Sequence, residues 1–385
     1  MLAAITVLAA ACASLPADSS WGSTSLFDSK ILLAFSDHVV EVDPSNGLAL
    51  KSHDASGTVR NDDTGKALDW LTQVNANNVT YHFYTHPVQT DDKTLIAAAY
   101  ENKLFQIDLN SSVVADTTGI TVPGNVVGDP LLTDKFLYVP LSNAGVVALD
   151  RSKLASPPVW TFDADGNKGV WAQPLVSADG STLYVASMDH NLYALDAATG
   201  NQKWKAPVDL EGAVASTPVF NADKTALYVG SFGNKVFKIS PDDGSIIAQY
   251  STNNWVWGSP TVVGDMVYAT DLSGYVYALQ DTGSALKEVW AQKVANGAIR
   301  MSPYVSGDTI VVGSADQNVY WLSAKDGSTT FSRPTQGQVL ANILPIPASG
   351  SITEPIIIVS TIAPSQQLVA FTLTKGTSLW AYPSS

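Results

Sequence analysis

A repeat constrains this chain more than any other feature. Residues 173–204 read as four short extended runs separated by turns. A run led by Pro174 ends at a turn over 177–181, and a second run covers 182–187. A turn at 188–191 leads into a third run, 192–196, then a glycine-containing turn, 197–200, and a short last run ending on Trp204. Turn-forming residues stand wherever the chain must reverse, which predicts four antiparallel strands. One such sheet has two faces to bury and is not stable alone. The chain supplies neighbours. Pro174 has counterparts at Pro87, Pro130, Pro218, Pro260, Pro303 and Pro345, about 43 residues apart, a spacing typical of propeller blades. The third run recurs over 104–108, 146–150, 236–240, 276–280 and 319–323. A closing aromatic recurs as Trp160, Trp204, Tyr250, Trp290, Phe331 and Trp380, and residues 30–47 form an N-terminal copy without the proline. The expected fold is all-β: a single eight-bladed β-propeller of four-stranded antiparallel blades over residues 21–385. Its ring closes either by packing the last copy on the first or by a strand from residues 15–25 completing the last blade.

Charge narrows the function. The formal net charge of −14 is spread without any block of like sign, and it argues against nucleic acid or an anionic membrane surface as a partner. Residues 1–11 are apolar and small, too few to span a bilayer, and read as the core of an export signal over 1–13, with a polar tether over 14–20. The single cysteine, Cys12, follows Leu8 and three alanines in a pattern that resembles a bacterial lipobox, which would make Cys12 the lipidated first residue of the mature chain. Cleavage after Ala13 would instead give a secreted product. With one cysteine, no intrachain disulfide can form. Residues 53–78 read as a long inserted loop.

Residues 193–200, Tyr-Ala-Leu-Asp-Ala-Ala-Thr-Gly, followed by Trp204, resemble the repeat of the pyrroloquinoline-quinone-like propellers. That family takes in the quinoprotein alcohol dehydrogenases and the BamB outer-membrane assembly lipoproteins. The likeness is sharp in one repeat, looser in six others, and covers nearly the whole chain after about residue 20. It implies that each closing aromatic docks between neighbouring blades, where a large flat ring buries much apolar area. It also implies that the first strand of each blade lines a central channel and that the loop entering it forms a rim. Three residues before each marker proline stand Tyr84, Val127, Trp171, Ala215, Trp257, Arg300 and Asn342. Two places earlier stand His82, Asn125, Gly169, Ala213, Trp255, Ala298 and Leu340. Pseudo-symmetry makes each set a ring. Tyr84, Trp171, Trp255, Trp257 and Arg300 are therefore expected to form an aromatic patch with one cation at a channel mouth, a composition that anchors partners.

The dehydrogenase branch of the resemblance implies a quinone stacked in the channel with a calcium ion on carboxylate and amide ligands. Neither rim ring contains an acidic residue, so that ligand set cannot be assembled from them. His38, His53, His82, His86 and His190 are scattered. His82 and His86 flank Tyr84 and read as surface residues. Residues 163–167, Asp-Ala-Asp-Gly-Asn, read as a turn, because the glycine falls too early for a calcium loop and no closing glutamate follows. No catalytic residue, metal or cofactor is expected. The BamB likeness implies a monomeric extracytoplasmic scaffold, anchored in a membrane by lipid at Cys12. It would engage protein partners in envelope or outer-membrane β-barrel assembly. Residues 208–214 match the family's partner loop, but the stretch is short and lacks arginine. The alternatives are a quinone- and calcium-dependent dehydrogenase-like enzyme and a secreted sensor holding a small ligand at the channel mouth.

Overall fold

The computed structural model describes residues 23–383 except 28, 37, 50–80, 92, 109–112, 115–117 and 165–167. Cys12, the signal and tether segments and the insertion at 53–78 lie outside the described residues. Eight antiparallel sheets follow one another along the chain, at 23–49, 88–121, 131–162, 175–209, 219–251, 261–293, 304–334 and 344–382. These are blades 1 to 8 of a propeller, the architecture the repeat predicts. Blades 3 to 8 are four-stranded meanders. Blade 1 has three described strands, Ser23–Phe27, Lys30–Phe35 and His38–Val42, with a bridge from Val42 to Ala49 at its outer edge. In blade 2 the outer strand is broken into Val113–Val114 and Ile120–Thr121, which pair with opposite ends of Lys103–Asp108. Helix among the described residues is limited to the 3-10 turns Arg151–Lys153 and Pro364–Gln366.

Position within the blade explains the composition of each strand. The second strands Thr182–Ala186, Leu227–Ser231 and Ile356–Ser360 are buried along their whole length, because a neighbouring blade covers each face. They therefore read as continuous apolar runs rather than alternating ones. Innermost strands are only two or three residues long in blades 2 to 8. In blades 2 to 7 the marker proline immediately precedes the innermost strand. The channel-facing edge there has no ladder partner, so proline's missing N–H leaves no bond unmade.

Blade 8 departs from the predicted phase. Pro345 lies inside the innermost strand Leu344–Ile346, opposite Ile357. The Val256 and Ile299 amides, four residues before Pro260 and Pro303, donate to Ser231 and Asp271 carbonyls at 3.1 and 3.3 Å. In blade 8 the matching bond runs from Val339 to Ser314 at 3.1 Å, so Ile343, not Pro345, is the equivalent position. Every rim residue of blade 8 shifts by two with it.

Four of the seams between blades follow one design. The indole Nε1 of Trp160, Trp204, Trp290 and Trp380 donates to the carbonyls of Ala197, Pro241, Ala324 and Pro44, at 3.2, 3.1, 3.0 and 2.9 Å. Each acceptor lies in the turn before the outer strand of the following blade. Gly200 and Gly47 in those turns have φ of +74° and +73°, and a Cβ on either would stand 2.7 or 2.4 Å from the docked indole. Only glycine satisfies both the backbone and the ring. Two seams differ. Between blades 7 and 8, Trp321 of the third strand donates to Leu373 O at 2.8 Å and stacks on Phe331, 4.9 Å between centroids. Between blades 5 and 6, Lys238 meets Asp281 at 2.7 Å, and the Tyr228 hydroxyl donates to the same carboxylate.

The ring closes by packing. Ser23–Phe27 pairs with Lys30–Phe35 inside blade 1. Ile31, Leu33 and Phe35 of blade 1 cluster with Ile356, Ile358 and Leu368 of blade 8, and Trp380 bonds across to Pro44. Among the described residues no strand crosses that seam. The strand-completion alternative therefore fails for residues 23–25, which belong to blade 1.

Candidate functional site

Among the described residues, loops entering an innermost strand are pinned by backbone bonds. In blade 5 the Phe232 amide donates to Ala213 O at 2.9 Å, and the Val214 amide donates to Ser187 O of blade 4 at 3.1 Å. Comparable bonds join Met188 to Gly169, Leu272 to Trp255 and Ala315 to Ala298, at 3.0, 3.0 and 2.9 Å. Held at both ends, these loops deliver the residues three before the proline to the axis. All seven residues of the predicted first ring, Tyr84, Val127, Trp171, Ala215, Trp257, Arg300 and Asn342, line one cavity of about 140 Å³. Leu340 lines it too, because the phase shift in blade 8 makes Leu340 the equivalent of Arg300.

The five predicted patch residues divide. Trp257 meets Trp171 edge-on at 6.3 Å, and the Arg300 guanidinium carbon sits 4.9 Å above the Trp257 ring. Trp255 does not line the cavity. It stacks on Phe232 at 4.8 Å with planes 7° apart, and Phe232 lies 5.2 Å from Trp257. The result is a continuous row: Trp171, Trp257, Phe232, Trp255. Tyr84 shares the cavity, but its aromatic partner is Tyr100, at 5.8 Å. Phe232 escaped the sequence reading, although an aromatic flanked by Gly230 and Gly233 in a turn was a visible signal.

A second ring, one residue before the proline, was also missed. His86 N donates to Asp129 Oδ1 at 2.7 Å, Gln173 N to Thr217 Oγ1 at 3.1 Å, Ser259 N to Ser302 Oγ at 3.0 Å and Ser302 N to Asn342 Oδ1 at 2.8 Å. Each bond joins a blade to the next, forming a polar belt around the mouth. The signal in the sequence was that His86, Asp129, Gln173, Thr217, Ser259 and Ser302 are all polar.

His86 and Asp129 form the charged part of this belt. His86 Nδ1 lies 2.6 Å from Asp129 Oδ2, so imidazole and amide together clamp one carboxylate. His82 and Glu101 repeat the clamp at 2.5 and 2.8 Å. Both histidines keep part of their side chain at the surface, as sequence predicts, but each is paired with a carboxylate. Desolvation pushes His86 down, but the Asp129 charge and hydrogen bond outweigh it and raise its pKa above the ordinary 6.5. Desolvation pushes Asp129 up, and the same partner holds it below the usual carboxylate value. The pair's stabilisation is thus complete between the two ordinary values. It is lost upward as His86 deprotonates at its raised pKa, and downward as Asp129 protonates at its lowered one. Titrating the His86 ring by NMR is expected to give a midpoint above 6.5. In Asp129→Asn, with desolvation unopposed, the midpoint should fall below it. A midpoint that Asp129→Asn leaves in place would contradict this clamp.

The wall does not fit a calcium-held quinone. Asp129 is its sole carboxylate and is committed to His86, whereas calcium takes about six to eight oxygens. The volume is also below the roughly 300 Å³ at which pockets for drug-sized molecules begin. Among the described residues no three His, Cys, Asp or Glu side chains are placed to hold a metal ion.

A sequence model of the family described as outer membrane protein assembly factor BamB matches residues 157–226, 214–286 and 272–385, more than half of the chain. The chain belongs to this family. The BamB-family matches overlap at their ends and run from the outer strand of blade 3 through blade 8. In fold, the propeller is similar to the crystal structure of BamB from Moraxella catarrhalis, with a TM-score of 0.65 at 15% identity over 90% of this chain and 95% of that one. It is equally similar to the computationally designed Ika8 protein, with a TM-score of 0.66 at 12% identity over 92% and 97%. Protein Rv3035 of Mycobacterium tuberculosis is 57% identical over 49 residues, a match spanning 13% of this chain and 12% of that protein.

The stretch matching the BamB partner loop is largely built into the blades here. Val208–Asp209 is the outer strand of blade 4, Leu210 is fully buried, and Glu211 pairs with Lys235 at 2.6 Å.

Proposed function

We propose that this BamB-family propeller is a non-catalytic extracytoplasmic scaffold that engages protein partners in envelope or outer-membrane β-barrel assembly. The observation that carries the reading is the joined row of Trp171, Trp257, Phe232 and Trp255, with Arg300 stacked on it, at one channel mouth. Aromatic side chains and arginine supply most of the energy at protein interfaces, and the rigid loops beneath them reduce the ordering cost of binding. Family membership supports the class of partner, and the lipobox-like residues before Cys12 support a lipid anchor on the extracytoplasmic side.

A photocrosslinking residue in place of Trp255 tests this in intact cells. The expected product joins the full chain to a protein of the membrane assembly machinery. Trp257→Ala combined with Arg300→Ala should reduce its yield about tenfold, as loss of two interface anchors does. A probe replacing the exposed Val289, on the outer edge of blade 6, serves as the reference. Crosslinks at 289 with none at 255 would refute the reading. In the same cells, Cys12→Ser should release the chain from membranes. If it stays bound, the anchor is not Cys12.

A further inference from the structure

We infer that the mouth cavity is a saccharide subsite: it takes one neutral sugar ring, whose C–H face packs on Trp171 and whose hydroxyls meet the polar belt from Gln173 to Asn342. This ligand is separate from the protein partner proposed above, since Phe232 and Trp255, at the far end of the aromatic row, do not line the cavity.

The belt is continuous around the axis. Ser23 in blade 1 and Asn342 in blade 8 complete it. With the residues named above, they place one polar side chain from every blade on the wall of the same cavity. Ser23 Oγ donates to Tyr84 O of blade 2 at 3.0 Å, which ties blade 1 in as well. Part of each residue's bonding capacity goes to these ties. Thr217 Oγ1 and Ser302 Oγ accept the Gln173 and Ser259 amides at 3.1 and 3.0 Å, and Asn342 Oδ1 accepts the Ser302 amide at 2.8 Å. Gln173 Nε2 donates to Pro130 O at 3.1 Å. The rest is unspent. Among the described residues, no protein group takes the hydroxyl protons of Thr217 and Ser302 or the Asn342 amide protons, and none meets Gln173 Oε1 or Ser259 Oγ.

These unspent groups set the class of ligand. They are uncharged, and they mix donors with acceptors along one arc, from blade 4 to blade 8. A hydroxyl gives one proton and receives at two lone pairs, so a row of hydroxyls matches such an arc. A carboxylate is acceptor-only and would confront Gln173 Oε1, whereas an ammonium is donor-only and would confront Asn342 Nδ2. The contacts call on no charged side chain of the wall. A cavity of about 140 Å³ admits one ring-sized molecule rather than a cofactor. A pyranose carries hydroxyls on its rim and C–H bonds on its faces, and a C–H face suits an indole. Trp171 lines the cavity two residues before Gln173 and has one aromatic neighbour, Trp257, met edge-on at 6.3 Å. Trp257 is flanked by Phe232 at 5.2 Å and Arg300 at 4.9 Å, which leaves Trp171 as the platform. The blade-to-blade ties hold the belt in place before any ligand arrives and so lower the ordering cost of binding.

Saturation-transfer NMR and calorimetry on the full chain test this with glucose, galactose, mannose and N-acetylglucosamine. At least one should bind with a Kd on the order of 1 mM. The open-chain alditol of that sugar keeps the hydroxyls without the ring and should bind at least about tenfold more weakly. A trisaccharide ending in that sugar separates the sources. Binding equal to or tighter than the monosaccharide assigns the site to the ends of glycan chains, and weaker binding assigns it to free sugars. Either result supports the subsite. Trp171→Ala should lose about tenfold. Asn342→Asp keeps the Oδ1 acceptor for the Ser302 amide, turns the donor into an acceptor, and should also lose about tenfold. Ser259→Ala leaves every tie of the belt in place, because Ser259 contributes its amide, and should lose about fivefold. Matching circular dichroism and thermal transitions would show that the variants are folded, and Ser259→Ala decides the matter if the other two are not. No binding by any of the sugars, an alditol equal to its sugar, an unchanged Ser259→Ala or Asn342→Asp, or competition by acetate would overturn the subsite, while the crosslink at position 255 decides the scaffold separately.

Discussion

Trp321→Ala should lower the unfolding free energy by about 3–5 kcal/mol, the range for removing a large buried aromatic. Trp321 is 1% exposed, stacks on Phe331 at 4.9 Å and meets Phe371 edge-on at 5.7 Å. Its Nε1–H donates to Leu373 O at 2.8 Å. Truncation opens a cavity at the seam between blades 7 and 8 and also leaves a carbonyl without its donor. Trp321→Phe separates the two effects: it keeps a ring against Phe331 and should lose about 1–3 kcal/mol for the orphaned acceptor. Urea unfolding of the two variants measures both. A loss under about 1 kcal/mol in Trp321→Ala would mean that the seam does not depend on this ring.

Asp281→Ala should cost a similar amount, about 3–5 kcal/mol, for an electrostatic reason. The Asp281 carboxylate receives Lys238 Nζ at 2.7 Å, the Gly283 amide at 2.8 Å and the Tyr228 hydroxyl. The Lys238 side chain is 9% exposed. Without Asp281, a buried ammonium keeps only the Gly283 carbonyl, at 2.8 Å. Replacing both charges, as Lys238→Met with Asp281→Leu, should restore most of the loss, because the desolvation cost disappears with the pair. A double variant no better than Asp281→Ala would place the energy elsewhere. Burial pushes the Asp281 carboxyl up, but the Lys238, Tyr228 and Gly283 hydrogen bonds hold it below its ordinary 3.8. Its contribution is thus full above pH 3.8 and is lost as pH falls through the lowered value. Acid unfolding in Asp281→Ala should lack that component.

Most of the fold was legible because the repeat is written in turn chemistry. Proline before the innermost strand and glycine under the docked indole are backbone requirements, and both recur visibly. The reading slipped where a residue type kept its identity but changed its job. Pro345 is a proline near the right spacing, yet pairing across blade 8 places it two residues too far along. Phe331 has the right class for a closing aromatic, yet Trp321 supplies the hydrogen bond.

At the site, the ring of residues three before the proline was found by counting alone, since pseudo-symmetry carries equivalent positions to the axis. Counting also brings His86 and Asp129 to equivalent positions one before the proline, but neither their pairing nor the stacking of Phe232 could be reached that way. Each depends on a contact between different loops, and spacing within one repeat holds no information about its neighbour.

The seam between blades 8 and 1 has a mechanical consequence. A clasp made of a shared strand would resist pulling through a ladder of hydrogen bonds loaded together. Here Trp380 on Pro44 and an apolar cluster do that work. A pull at Ser23 would first load the ladder that ties Ser23–Phe27 to Lys30–Phe35, whereas a force opening the ring would meet only side-chain contacts at this seam, and the two blades could part and re-dock as intact plates.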